Sequence, residues 1–344
     1  MIDKSFYDKH QNEIDVDKLS SLLKDHVVKI VGNGKTLSNI TTLDNATSSD
    51  ISFLHNAKYL SALTQSKAGV ILIDQDLYKD AEASDQTFMI CRDVYGACSL
   101  VLNYFYGYRE QEMFLTRASA NIHPGAVIDK TAIIGSNCFI GKATIGANTK
   151  LSPNTVVADG VVIGDNVVIG SNCSISYARI GDNSTIASGV QIGSEGFGYT
   201  TSAKGHSRIK HFGRVILHKN VSIGDNAVIH KGSLRDTIIG EGTKVDSLVH
   251  IAHNVEIGKH CFIAAQTGFA GSSIVKDFVA FGGQCGVAGH ITIGSNVRFA
   301  AQAGVTKNIS DHSGDYYGMP AVPKRVWQKT QIMLRKIVKN NKNL

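Results

Sequence analysis

From Ile251 to Val305 every sixth residue is aliphatic or aromatic: Ile251, Ile257, Ile263, Phe269, Val275, Phe281, Val287, Ile293, Phe299 and Val305. The residue that follows is small in eight of these ten cases, Ala252, Gly258, Ala264 and Ala270 among them. A period of six matches neither the 3.6 residues of a helical turn nor the two of a continuous strand. It fits a coil of short strands joined by tight corners, each large residue pointing into a shared axial core. One such coil cannot bury its own large residues, so the pattern commits the chain to stacking.

The same period reaches far back along the chain. It begins at Ile122 and runs through Ile128, Ile134 and Ile140, then from Ile145 through Leu151, Val157, Ile163 and Ile169 to Ile175, then Ile180, Ile186 and Ile192. The short steps from Ile140 to Ile145 and from Ile175 to Ile180 read as corner deletions that a coil absorbs. From Gly193 to Arg214 the period vanishes, which predicts a loop ejected from the coil, a common place for function on a rigid scaffold. It returns at Leu217, Ile223 and Ile229, slips near Leu234, and resumes at Ile239 and Val245. Roughly thirty hexads result, or about ten coils at three per turn. The 34 glycines beside only 4 prolines suit many tight corners better than a disordered chain. The six cysteines form no CxxC pair, and Cys138, Cys173, Cys261 and Cys285 sit at small inward or corner positions. Buried free thiols are expected there.

Residues 1–118 show no such repeat and alternate helical and strand patterns, which predicts a small α/β domain. Helices are expected at Asp15–Lys24, Asn56–Leu63 and Arg92–Tyr104, and strands at Ile51–Leu54 and Ala68–Ile73. Residues 119–319 form the coil. Pro320 and Pro323 end it, and residues 320–344 read as a helix with Val326, Met333, Leu334, Ile337 and Val338 on one face. That apolar stripe must pack on the coil or on further copies of the chain. Seven Lys or Arg residues and no acid follow from Lys324 onward, within a formal net charge of +6. Such a cationic end favours an anionic partner, and no nucleic acid is expected. The N-terminus lacks a signal-peptide pattern and no apolar run approaches a membrane span, so a soluble, cytoplasmic protein is expected.

Three hexads per coil stack residues eighteen apart, about 4.8 Å from one rung to the next. His253 therefore lies beneath Gly271 and, one rung further, beneath Gly289, while His290 stands two rungs up and one residue around. A neutral imidazole under a glycine whose N–H faces no side chain suits acyl transfer. The histidine removes a proton from the nucleophile and the N–H holds the oxyanion. Two other readings stand beside it: an ordinary corner histidine, and a metal site drawing on His250, His253, His260 and His290. No carboxylate or cysteine joins those four in one layer, and no metal or cofactor is expected.

Several segments resemble the hexapeptide-repeat acyltransferases, and among them the UDP-3-O-acylglucosamine N-acyltransferases of lipid A (lipopolysaccharide) synthesis. They include Ser52-Phe53-Leu54-His55-Asn56-Ala57-Lys58-Tyr59, Gly196-Phe197-Gly198-Tyr199, Asp236-Thr237-Ile238-Ile239-Gly240, Ile251-Ala252-His253-Asn254-Val255, Gly289-His290, and Gly318-Met319-Pro320-Ala321-Val322-Pro323 with Trp327. The resemblance implies a mainly β protein. Its core is a left-handed parallel β-helix of hexapeptide repeats, carrying an N-terminal α/β domain and a C-terminal helix and assembling as a homotrimer. General sheet topology favours right-handed crossovers, so the handedness comes from the resemblance alone. It further implies His253 as general base, Gly271 N–H as oxyanion donor and Asp246 as the acid orienting the base. His290 would contact the substrate, with Phe53, Asn56 and Tyr59 as the uridine-binding set. The implied substrates are UDP-3-O-acylglucosamine and a 3-hydroxyacyl chain on holo acyl carrier protein, itself acidic and suited to the basic helix. Two alternatives remain: a hexapeptide transferase using another nucleotide amino sugar or acetyl-CoA, and a β-helix that binds a nucleotide sugar without chemistry. The chain departs from the family pattern at Ser194-Glu195, His230-Lys231, Ser247 and His250, and keeps it at the base and oxyanion positions.

Overall fold

A computed structural model describes residues 2–33, 36–80, 86–108, 121–202, 205–317 and 324–340 of the chain. The hexads form a parallel β-solenoid with three sheets as its faces, of nine, nine and ten strands. Face A runs from Phe139–Ile140 to Gly304–Val305, face B from Val127–Ile128 to Thr292–Ile293, and face C from Ile133–Ile134 to Gly314–Tyr316. On face A, Ile251 pairs with Phe269, Phe269 with Val287 and Val287 with Val305, so one rung is eighteen residues, as the period predicts. The deletions at Ile145 and Ile180 are absorbed without loss of register, since both residues pair with Ile163.

The inward column is buried from Ile140 to Val305, while Ile122, Ile128 and Ile134 at the open end of the coil are exposed or half-buried. It includes a column of Phe269, Phe281 and Phe299 with ring centroids 5.1 and 4.9 Å apart. All six cysteines are buried free thiols, as expected for Cys138, Cys173, Cys261 and Cys285. Corners are made by residues in the left-handed region, and Asn fills this role at Asn137, Asn148, Asn154, Asn166, Asn254 and elsewhere. Asn tolerates that conformation because its short polar side chain bonds locally. One corner column reads Asn254, Ser272, His290, with φ of 60°, 60° and 57°.

The N-terminal domain contains α1 (Val16–Leu22), α2 (Leu60–Leu63, preceded by a 3-10 turn at Ala57–Tyr59) and α3 (Val94–Phe105). They pack on a five-stranded sheet ordered Val27–Val31, Thr87–Cys91, Val70–Asp74, Asp50–Leu54, Asn39–Ile40. The expected helices and the two expected strands are present. The strands at Val27–Val31 and Thr87–Cys91 had no expectation: the first is a half-exposed edge, and the second an apolar run too short to show a period.

The domain is built partly from the coil. Phe212 is buried in its core, with Tyr177 and Leu234 packed against it. Strand Tyr7–Lys9 pairs with Tyr106–Tyr108, and the Tyr7 hydroxyl donates to Gly213 O at 2.8 Å. The Asp3 carboxylate accepts from Arg179 and Arg214, and Arg214 also pairs with Asp236. Burial opposes this charge but the hydrogen bonds prevail, holding Asp3 well below the usual carboxylate range.

Helix α4 (Lys324–Asn340) presents Val326, Ile332, Met333, Leu334 and Ile337 as exposed residues of the single chain, beside exposed Arg325, Lys329, Arg335 and Lys336. The stripe predicted to need a partner thus finds none within the described chain. The motif Gly318–Pro323 and the Trp327 and Val338 side chains lie outside the described residues. No described helix is long and apolar enough to cross a membrane.

Candidate active site

His253 sits at the corner that follows face A, under Gly271. A Cβ built on Gly271 would stand 2.7 Å from His253 Cε1 and 2.8 Å from Nε2, so only glycine admits the ring there. One rung further, a Cβ on Gly289 would lie 3.0 Å from Gly271 O. The Gly271 N–H makes no hydrogen bond among the described residues, while its carbonyl accepts from His290 N at 3.3 Å.

The neighbour Asn254 decides the tautomer. Its Oδ1 accepts from Ser233 N at 3.1 Å and Ser233 Oγ at 2.8 Å, and its Nδ2 donates to Arg235 O at 3.3 Å. A backbone N–H can only donate and a carbonyl only accept, so the amide orientation is fixed by its partners. His253 Nδ1 lies 2.9 Å from the same Oδ1 and must carry the proton. Nε2 is left with a free lone pair beside the Gly271 corner. Burial lowers the His253 pKa, and His211 and His290 add to that against the Asn254 hydrogen bond. The ring is neutral at pH 7, with its basic nitrogen facing the corner.

The ejected stretch folds back over this ring. It forms a hairpin, Tyr199–Ser202 with Gly205–Arg208, and returns at His211, which is 1 % exposed. The His211 ring meets His253 edge-to-face, centroids 4.9 Å apart. A second pair, His230 and His250, lies nearby with centroids at 4.7 Å. Burial, then His250, His253 and His211, push the His230 pKa down to about 4. Lys231 is buried with its Nζ 3.7 Å from the Tyr177 ring centroid and within hydrogen-bond reach of the Tyr7 hydroxyl at 3.3 Å. Burial brings its pKa down to about 8.

These histidines make stability pH-dependent. His230, His253 and His290 have lowered folded pKa values, so below about 6.5 the unfolded chain binds more protons than the folded one. Stability then rises with pH through this window and is lost as pH falls toward about 4, the folded value of His230. Thermal melts are expected to drop by several degrees between pH 7.5 and pH 5, and His230→Asn to flatten that dependence. Superimposable profiles for the two proteins would contradict the assignment.

The α/β domain reaches the same corner column. The Tyr59 hydroxyl is 2.8 Å from His290 Nδ1, and Lys58 Nζ donates to His290 O at 3.0 Å. Tyr59, His290, Gly271 and His253 are thereby brought into one connected group. Phe53 packs near Tyr95, with centroids 6.5 Å apart. Asn56 spends its Oδ1 on Lys58 N at 3.0 Å, capping the 3-10 turn, which leaves its NH2 to face outward partners. Asp246 stands apart, at the other corner of face A. Its carboxylate accepts from Ser247 N at 2.7 Å, and within the chain it makes no bond to His253, whose orienting partner is Asn254. His260 stacks on Phe278 at a different corner, and no group of metal-binding side chains forms among the described residues. Sequence reasoning missed Asn254, Ser233 and His211. Asn254 carried a signal, since it adjoins His253 in a left-handed corner column.

Residues 35–104, which hold Phe53, Asn56 and Tyr59, match the family model described as UDP-3-O-(3-hydroxymyristoyl) glucosamine N-acyltransferase. Residues 142–177 and 236–271, the latter holding His253 and Gly271, match the bacterial transferase hexapeptide model of six repeats. The chain is 41% identical over 244 residues to UDP-3-O-acylglucosamine N-acyltransferase of Granulibacter bethesdensis, covering 69% of each chain. It is 36% identical over 312 residues to UDP-3-O-acylglucosamine N-acyltransferase 2 of Rhodopseudomonas palustris, covering 88% of this chain and 82% of that relative. Against the Methylobacterium nodulans protein of the same name, identity is 40% over 164 residues, and the match spans about half of each, 48% of this chain and 46% of the relative.

Proposed function

The chain belongs to the UDP-3-O-acylglucosamine N-acyltransferase family, and from that premise we propose an N-acyl transfer in lipid A synthesis. The donor is a 3-hydroxyacyl thioester on acyl carrier protein, and the acceptor is the 2-amino group of UDP-3-O-(3-hydroxyacyl)glucosamine. The observation that carries the reading is the free Nε2 of a neutral His253 beside the open Gly271 N–H.

The amine attacks the thioester carbonyl while His253 Nε2 takes its proton. The carbonyl oxygen gains negative charge and accepts from the Gly271 N–H. As the carbon–sulfur bond breaks, the proton on Nε2 passes to the leaving thiolate, so that an amide and a free pantetheine thiol result. Phe53 and Tyr59 hold the uridine, Asn56 reads its edge through its NH2, and His290 contacts the sugar–phosphate. Asp246 orients the base only if it reaches a His253 of another copy, because within the chain Asn254 holds that place.

A homotrimer is part of this proposal. Phe262 and Phe278 are 62% and 54% exposed on the coil, and Met333 is 64% exposed on α4. Apolar surface of this kind on rigid elements suits burial against further copies. The basic face of α4 suits the acidic carrier protein.

The test is mass spectrometry of the product formed from UDP-3-O-acylglucosamine with a panel of 3-hydroxyacyl carrier proteins and with acyl-CoA. One added hydroxyacyl group on nitrogen, with the carrier protein as the preferred donor, is the expected result. Preference for acetyl-CoA would replace this reading with another hexapeptide transferase. Binding without transfer from any donor would make the chain a nucleotide-sugar binder.

A further inference from the structure

The stretch from Glu195 to Gly213 leaves the coil, and what it brings back is His211. Its placement is enforced from several sides. A Cβ on Gly196 would lie 2.9 Å from His211 Nε2 and 2.9 Å from His253 Cβ, and one on Gly198 would lie 2.5 Å from His211 Cε1. Both glycines therefore leave room for one imidazole to press on another. The His211 N–H donates to Glu195 Oε1 at 2.7 Å, and Nδ1 lies 3.0 Å from Ile209 O, which can only accept, so Nδ1 is protonated. Phe212 is locked in the α/β core, 5.2 Å from the Tyr7 centroid, and its N–H donates to Ser233 O at 2.6 Å. Ser233 in turn bonds the Asn254 amide that orients His253. At the far end of the loop, Thr200 Oγ1 donates to Asp93 Oδ2, the N-cap carboxylate of α3, at 3.1 Å.

We propose that His211 is a positioning residue for acyl transfer, its ring closing over one side of His253 to hold the base in plane and keep water from it. The inference rests on His253 being the base. The titratable groups facing His253 are His211 from the loop, His290 from the corner two rungs up and His230 from the neighbouring strand, with Glu195, Lys231 and Arg208 behind them. A cover that excludes water, and that can itself carry positive charge, disfavours a proton on His253. Removing it lets the base hold a proton to higher pH, and the acid limb of kcat/KM moves the same way.

The test compares wild-type protein with His211→Gln and Gly198→Ala, the second keeping the imidazole but displacing it. Two readouts are taken: the pH profile of kcat/KM, and the pH dependence of His253 modification by diethyl pyrocarbonate, followed by peptide mass spectrometry. Both variants are expected to lose about tenfold to a hundredfold in kcat, with KM for the nucleotide sugar little changed. The acid limb and the modification midpoint should both move to higher pH. A variant that melts as wild type and keeps the wild-type limb and midpoint would overturn the proposal. Gly198→Ala decides the matter should His211→Gln not fold. His253→Ala run in parallel separates the two readings. If it retains turnover the base assignment fails, whereas the modification midpoint still reports whether His211 governs His253.

Discussion

Replacing His253 with alanine is expected to lower kcat by roughly 10² to 10⁴ in a protein that melts as wild type and binds the nucleotide sugar normally. The ring lies at a corner rather than in the axial core, so its loss opens no cavity among the stacked aliphatics. Asn254 keeps its bonds to Ser233 and Arg235, so the corner itself survives. The groups proposed to hold uridine sit on the α/β domain, and their anchor, His290, is untouched. Calorimetric binding and steady-state rates measured on the same preparation check this. A folded variant with wild-type turnover would end the assignment of His253 as base.

Gly271→Ala should lose at least about 10²-fold in kcat with the coil intact. Gly271 does not occupy the left-handed region, so the backbone accepts alanine. The nearest atoms to the added methyl are all in the His253 ring. The ring has to swing aside, taking Nε2 out of line with the corner N–H. Gly286→Ala is the matched control, because a Cβ there meets nothing within 4 Å, and it should leave the melting temperature unchanged. Equal kcat values for Gly271→Ala and wild type would show that base and corner do not act together.

The stacking of Gly271 on His253 was legible because repetition turns chain distance into spatial distance: eighteen residues is one rung wherever the hexads hold. Phe53, Asn56 and Tyr59 were legible through resemblance, though not that Tyr59 would reach His290. The loop could be recognised only as a break in the period. Without a repeat, nothing in the sequence says that His211 returns to His253, and the link runs through Phe212, Ser233 and Asn254, each on a different segment. The same limit applies to Asp246. Resemblance named a role for it, but a corner position fixes which side of the coil a carboxylate faces, and within the chain that side is not the one His253 occupies.

The core of the α/β domain needs Phe212, and Tyr177 and Leu234 pack against it; Asp3 waits for Arg179 and Arg214. Residues 2–108 are therefore synthesised before Arg179, Phe212, Arg214 and Leu234, the residues that complete their packing. At ordinary translation rates those partners follow after on the order of ten seconds. Each completed rung offers a template for the next, so the solenoid can grow vectorially, and the full set of coil residues that pack on the N-terminal domain exists only once that growth has passed Leu234.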